Sequence, residues 1–279
     1  MNNKFIKKYI VGVAMEKSGV NKNIKIKNWV KSNYDSSNLI IRSIVRSLYF
    51  IKKNLYTIRK LCTDKEFRAI FYMSTFKSKE VHQTTPLTCM DRYPVIFSAC
   101  RDYFKDRENI RILSYGCSTG EEVLTLRKYF NDASIVGAEI NKNSLDICRK
   151  HNVDDKITFI NSTPTEIRKN GKFDLIFCMA VLQRTPDTIT REGVKSLKKI
   201  YPFEKFEKQV KELDSCLNKG GLMVIHFSQY SFEDVDISSK YKALGEYNQD
   251  DYKSAIFDRN SNLIDKHISR KSIFIKRED

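Results

Sequence analysis

Apolar residues follow two different periods along this chain. Between Leu39 and Leu61, residues Ile40, Ile44, Leu48, Ile51, Leu55 and Ile58 recur three and four positions apart, which predicts a helix with one aliphatic stripe. Glu66 to Phe76 reads as a second, shorter helix, and the polar stretch Ser78 to Thr85 as a loop. Tyr93, Ile96, Phe97 and Phe104 suit one side of a further helix. From Ile112 onward, short unbroken apolar runs alternate with helical stripes. The runs are Ile112 to Ser114, Ser134 to Ile140, Ile157 to Ile160, Phe173 to Met179 and Leu222 to Phe227. The stripes are Val123, Leu124, Leu126 and Phe130, then Leu145, Ile147 and Cys148, then Phe203, Phe206, Val210, Leu213 and Leu217, with Gly220 and Gly221 expected to end the last helix. Ser254 to Asp258 and Ser272 to Lys276 read as two final strands. Buried runs alternating with helices predict an α/β, doubly wound, mostly parallel sheet.

Charge divides the chain. Its 279 residues carry a net +16. Residues 1 to 80 hold 18 Lys and Arg against 5 Asp and Glu, or +13, and the remainder only +3. This predicts a basic helical segment over residues 1–80 and a Rossmann-like domain over residues 81–279, the segment facing something anionic such as membrane or nucleic acid. Arg42, Arg46, Lys53 and Lys60 lie off the aliphatic stripe. The helix between Leu39 and Leu61 therefore has two readings, one on an anionic surface and one with its stripe docked on the main domain and its basic side in water. Residues 1–17 have a faint leader shape, three lysines before YIVGVAM, but Glu16 and Lys17 follow at once, and a domain-starting helix or strand is the better reading. No run is long enough to span a membrane. Seven scattered cysteines without a C-x-x-C fit reduced thiols in the cytoplasm, with peripheral membrane placement left open by the basic segment.

Candidate chemistry concentrates in Arg111 to Glu122, RILSYGCSTGEE. A strand end runs into the small-residue turn Gly116, Cys117, Ser118, Thr119 and Gly120, and Glu121 and Glu122 open a helix. Glycines admit close ligand approach, a helix start offers unpaired N–H groups, and acidic residues there suit the helix dipole. The spacing is G-x-x-x-G rather than the dinucleotide pattern G-x-G-x-x-G, and any strand-to-helix junction can need such glycines for structure alone. Glu139 ends the second apolar run, 23 residues after Gly116. A carboxylate there suits the hydroxyls of an adenosine ribose. The competing reading, a cap for the next helix, is better filled by Asn141.

At these residues the chain resembles the class I S-adenosylmethionine-dependent methyltransferases. Its first motif is most similar to that of the chemotaxis-receptor glutamate methyltransferases, and FDLIFCMAVL and LNKGGLMVI are similar to class I segments around the fourth and fifth strands. The resemblance covers about Asp91 to Phe227. It implies a seven-stranded sheet whose last strands include an antiparallel one, and S-adenosyl-L-methionine as cofactor. It implies a cofactor site of Gly116, Cys117, Ser118, Thr119, Gly120, Glu139, Ile140, Ser162 and Met179, with Thr88 and Arg92 loosely matching the pair that holds the cofactor's carboxylate, Arg92 otherwise reading as a surface or helix-start charge. Ser162 stands where many class I enzymes place an adenine-binding Asp. Met179 and Ala180 stand where the chemotaxis enzymes carry Arg-Asn, which puts their substrate in doubt.

Gln183 and Arg184 are expected near the acceptor, and His226, at a strand tip, is the one weak candidate for a general base. The acceptor itself, whether a protein carboxylate, a small metabolite, a glycan precursor or RNA, cannot be read from these residues. There is no metal-ligand spacing, no G-x-S-x-G and no P-loop lysine. The rival readings are a nicotinamide oxidoreductase, disfavoured by the turn's spacing, and a non-catalytic binding module that uses its basic arm on RNA or membrane.

Overall fold

The computed structural model describes residues 27–266 and 268–278. The leader-like reading of residues 1–17 lies outside them. The chain divides into two compact units between Asp64 and Lys65, earlier than the residue 80 at which the charge changes.

Within the first unit, residues 27–32 are helical and α1 spans Leu39–Thr63. Asn38 caps α1, its side chain accepting from the N–H groups of Ile40 and Ile41 at 3.0 and 3.3 Å. Ile40, Ile44, Leu48, Ile51, Leu55 and Ile58 are all exposed, and only Val45 of the helix is buried.

The second unit is a three-layer sandwich. Its sheet has strands β1 (Arg111–Tyr115), β2 (Ser134–Glu139), β3 (Ile157–Asn161), β4 (Phe173–Met179), β5 (Leu217–His226), β6 (Tyr241–Ala243) and, after a separate β7 (Ile256–Phe257) and β8 (Leu263–Ile264) ladder, β9 (Ile273–Lys276). The order is β3-β2-β1-β4-β5-β9-β6, with β1 to β5 parallel and β9 antiparallel to both of its neighbours. Successive residues of each central strand face opposite layers. Leu113, Val136, Ile176 and Ile225 point toward α6 (Pro164–Lys169), α7 (Pro186–Arg191) and α8 (Phe203–Ser215). Ile112, Ile135, Leu175 and Val224 point toward α3 (Pro94–Tyr103), α4 (Glu121–Tyr129) and α5 (Lys142–Cys148). All seven residues of β4 are buried, as expected for the centre of a parallel sheet. Each such aliphatic or aromatic side chain contributes roughly 1.5–3 kcal/mol by leaving water. The remaining helix, α2 (Lys65–Phe76), belongs to this unit, where Glu66 accepts from the side-chain amide of Asn143 at 2.8 Å.

Two expected boundaries move. Gly220 and Gly221 do not end α8, which stops at Ser215; they lie inside β5, beside a register shift against β4. The segment Ser254 to Asp258 contributes only the short β7, and the sheet's outer strand is β6, too short to show an alternation.

Candidate functional site

The parallel strands order themselves outward in both directions from the β1–β4 pair, and connections leave in opposite directions at their C-terminal ends. A cleft opens at such a switch point. Here the cleft lies at the tips of β1 to β4. Its floor is Tyr115, Gly116 and Ser118 after β1, Glu139 and Ile140 after β2, Ser162 after β3, and Met179 to Val181 after β4. An adjoining deeper space, lined by Thr88, Arg92, Tyr93, Cys117, Glu122 and Thr125, shares Gly116, Ser118 and Met179 with it.

Glu139 is the fixed point. It is buried, and its carboxylate accepts from the N–H of Ser118 at 2.8 Å and of Asn141 at 2.7 Å. Burial pushes its carboxyl up, and those backbone donors, with that of Ile140, hold it partly down. Asn141 caps α5, accepting from Asn143 and Ser144 N–H groups, so the two roles weighed for Glu139 fall to two residues. The carboxylate nevertheless bonds the cap's own backbone and ties the β1 turn to the tip of β2.

The glycine turn works differently from a cradle of free N–H groups. The amides of Gly116 and Cys117 donate to Ala138 O, that of Ser118 to Glu139, and that of Gly120 to Cys117 O. What the turn offers is room. At Gly116, φ is +76° and a Cβ would fall 2.5 Å from Val181 Cγ2, so no other residue fits without moving the segment after β4. Gly120, at φ +103°, faces the His151 ring rather than the cleft, and Thr119 bonds Glu121 and His151; neither lines the cleft, against expectation. Cys117 is buried toward Cys148, and their contact and burial raise its thiol well above the usual range. Ser118 and Ala180 are both left-handed, at φ 52° and 57°, a strain that gathers at ligand sites.

Arg92 lines both spaces, donates to Leu87 O at 2.9 Å and stacks over Tyr93. Glu122, opposite it in the deeper space, was legible only as a helix-start charge. Burial raises its carboxyl to about 7, against the hydrogen bond from Ser114 Oγ at 2.7 Å and the charge of Arg92. The segment Ser78 to Thr85 is more than a linker: Glu80, His82, Gln83, Thr84 and Thr85 form one wall of the cleft. Lys205 donates to Ser78 O and Val81 O at 2.8 and 2.7 Å, Arg184 to His82 O at 2.9 Å, and the buried His82 ring bonds Tyr201 OH at 2.8 Å and Gln209 Oε1 at 3.3 Å. Burial, then the charges of Lys205 and Arg184, lower His82 to about 3, so it is neutral. Arg184 and Gln183 therefore hold backbone and neighbours rather than lining the cleft, Gln183 accepting from Tyr252 OH. His226 also lies outside the lining: it is buried against Phe227 and Tyr93, bonds Ser272 Oγ at 2.9 Å and is lowered to about 4 by burial and by Arg270 and Arg92.

The glycine turn, the strand tips from β1 to β4 and the cleft floor just described fall inside one recognisable stretch. Residues 112–202 match a family model described as a methyltransferase domain. The match runs from β1 to the approach of α8. No curated protein matches the sequence. Among solved structures, the plantazolicin methyltransferase BpumL in complex with SAH pairs at 15% identity and a TM-score of 0.35, over 60% of this chain and 55% of that one. CalS10, an amino pentose methyltransferase from Micromonospora echinaspora, pairs at 15% identity and a TM-score of 0.37, over 58% of each chain. This chain thus spans less than two thirds of either. At scores this low the pairings add nothing to what the sheet order shows. Among the described residues no group of three or more His, Cys, Asp or Glu could hold a metal ion, and no helix is long and apolar enough to cross a membrane.

Proposed function

We propose that this protein is an S-adenosylmethionine-dependent methyltransferase. The observation that carries the reading is Glu139, a carboxylate fixed at the tip of β2 and aimed into a cleft floored by the β1 glycine turn. The residues fit the cofactor. Ser118 Oγ, Ser144 Oγ and Gln83 Oε1 border the cleft, are buried and have no hydrogen-bond partner among the described residues, which suits a polar ligand. Bound there, S-adenosylmethionine supplies a methyl group already activated on a sulfonium sulfur. Glu139 would accept from the ribose hydroxyls with its remaining lone pairs, Ile140 and Met179 would give apolar contact to the nucleoside, and Ser162 would serve the adenine. Arg92 would take the carboxylate of the amino-acid end, and Glu122 its ammonium.

The protein's task is then to hold donor and acceptor in line. Among the described residues, carboxylates and the neutral His82 line the cleft, and none of them selects an acceptor. The likeness to the chemotaxis enzymes stops at the first motif, and Met179 and Ala180 in place of Arg-Asn give no support for their substrate. The free cysteines support a reducing compartment, and the basic first unit an anionic partner. Calorimetric titration with S-adenosylhomocysteine tests the reading, with NADH as control. Binding of the first alone is expected; a folded protein that binds neither refutes it. Cofactor binding with no turnover on any acceptor class would favour the non-catalytic module instead.

A further inference from the structure

We infer that α1 is an interfacial helix that lies on an anionic lipid surface. The inference is independent of the methyltransferase reading. Helix α1 has 25 residues, about 37 Å at 1.5 Å per residue. At 100° per residue, Ile40, Ile44, Leu48, Ile51, Leu55 and Ile58 fall within an arc of about 80°. Each is at least 50% exposed, and Leu39 and Phe50 beside them are more than 60% exposed. A row of six aliphatic side chains in water along about five turns is costly, and soluble proteins do not keep one uncovered without use.

Charge decides what covers it. The helix carries Arg42, Arg46, Lys52, Lys53, Arg59 and Lys60 and no acidic residue. Lys52 and Arg59 border the stripe on one side by the same angular count, and Arg46, farther round the helix, pairs with Asp35 at 3.0 Å. Lys60 pairs with Asp64 beyond the helix end, and a second copy of the helix would bring six more cations and no carboxylate of its own. Nucleic acid would satisfy the cations but leave the aliphatic row unmatched, since bases reward aromatic stacking. A membrane interface accepts both at once: the aliphatic row enters the acyl boundary while the flanking cations meet anionic headgroups. Six charges in 25 residues prevent the helix from spanning.

The test is co-sedimentation of the full chain with vesicles of phosphatidylcholine alone and with about one-quarter phosphatidylserine. Binding to the second, weakened by salt and weak on the first, is expected. The triple variant Ile44→Ser, Leu48→Ser, Ile51→Ser is expected to lose at least tenfold in partitioning. The variant Lys52→Gln, Arg59→Gln is expected to lose several-fold and part of its salt sensitivity. These sites are exposed, so circular dichroism and the thermal shift with S-adenosylhomocysteine should match wild type. Absence of binding to anionic vesicles overturns the inference. So does a triple variant that binds as wild type does, or a wild-type dimer that the triple variant dissociates, which would assign the stripe to a second copy.

Discussion

Glu139 answers to two demands, and one substitution separates them from solvation. Both carboxylate oxygens accept backbone N–H groups in a buried setting, so Glu139→Gln places an amide N–H₂ against a donor. Because the side chain is buried, the apo fold depends on those bonds. The apo melting temperature should fall with a loss of about 1–3 kcal/mol, the cost of an unmet buried donor. Affinity for S-adenosylhomocysteine should fall at least tenfold. An unchanged apo melting temperature would show that the backbone contacts contribute nothing. Glu122 gives a pH signature. Its carboxyl ordinarily titrates at 4.5 and is raised to about 7. A value raised by folding stabilises the fold while the group is protonated, in full below 4.5, and that contribution is lost as pH rises through 7. Relative to Glu122→Gln, the wild type should therefore lose a few degrees of melting temperature between about pH 5 and about pH 8. Parallel melting curves at every pH would remove Glu122 as a buried carboxyl. The position of Glu139 was legible because a strand, a glycine turn and a helix have nearly constant length. The role of Glu122 was not, because a helix-start charge and a buried cleft carboxyl have the same local pattern.

Among elements, the segment Ser78 to Leu87 departs most from its local chemistry. Polar composition marks a loop, yet this loop walls the cleft because two cations and a histidine fasten its carbonyls and side chain to α8 and to the segment after β4. Lys205, lowered by burial to about 8, sits outside the cleft lining. Lys205→Met should leave two carbonyls without their donor, lower thermal stability modestly and weaken S-adenosylhomocysteine binding several-fold through the wall alone. Calorimetry reads this, and full affinity at reduced stability would separate the wall from the site. The same scale explains β5. Two glycines resemble a helix stop, but they fall inside the strand at its register shift against β4, between the paired Leu217 and Leu222.

Across the whole molecule, charge and contacts divide the chain at different places. Charge changes near residue 80, whereas the compact unit with the cleft begins at Lys65, because α2 supplies Glu66 to the α5 cap and Met73 to the cleft. A chain begun at Lys65 should bind S-adenosylhomocysteine as the full chain does and lose affinity for anionic vesicles, whereas one begun at Lys79 should lose cofactor affinity too. Equal cofactor binding by both would show that α2 is dispensable. The sequence by itself determined the alternation of strands and helices, the glycine turn, the acidic tip of β2 and the amphipathic basic helix. These follow from periodicity, spacing and side-chain type, which act over a few neighbouring residues. Tertiary structure decided that Glu139 is buried, that Glu122 and the Ser78 to Leu87 segment belong to the cleft, that Gly116 is demanded by Val181, and that the stripe of α1 faces water. Each of those depends on which distant residues fill the space beside a group, and burial, hydrogen-bond partners and charge neighbours across more than a hundred positions leave no local pattern in the chain.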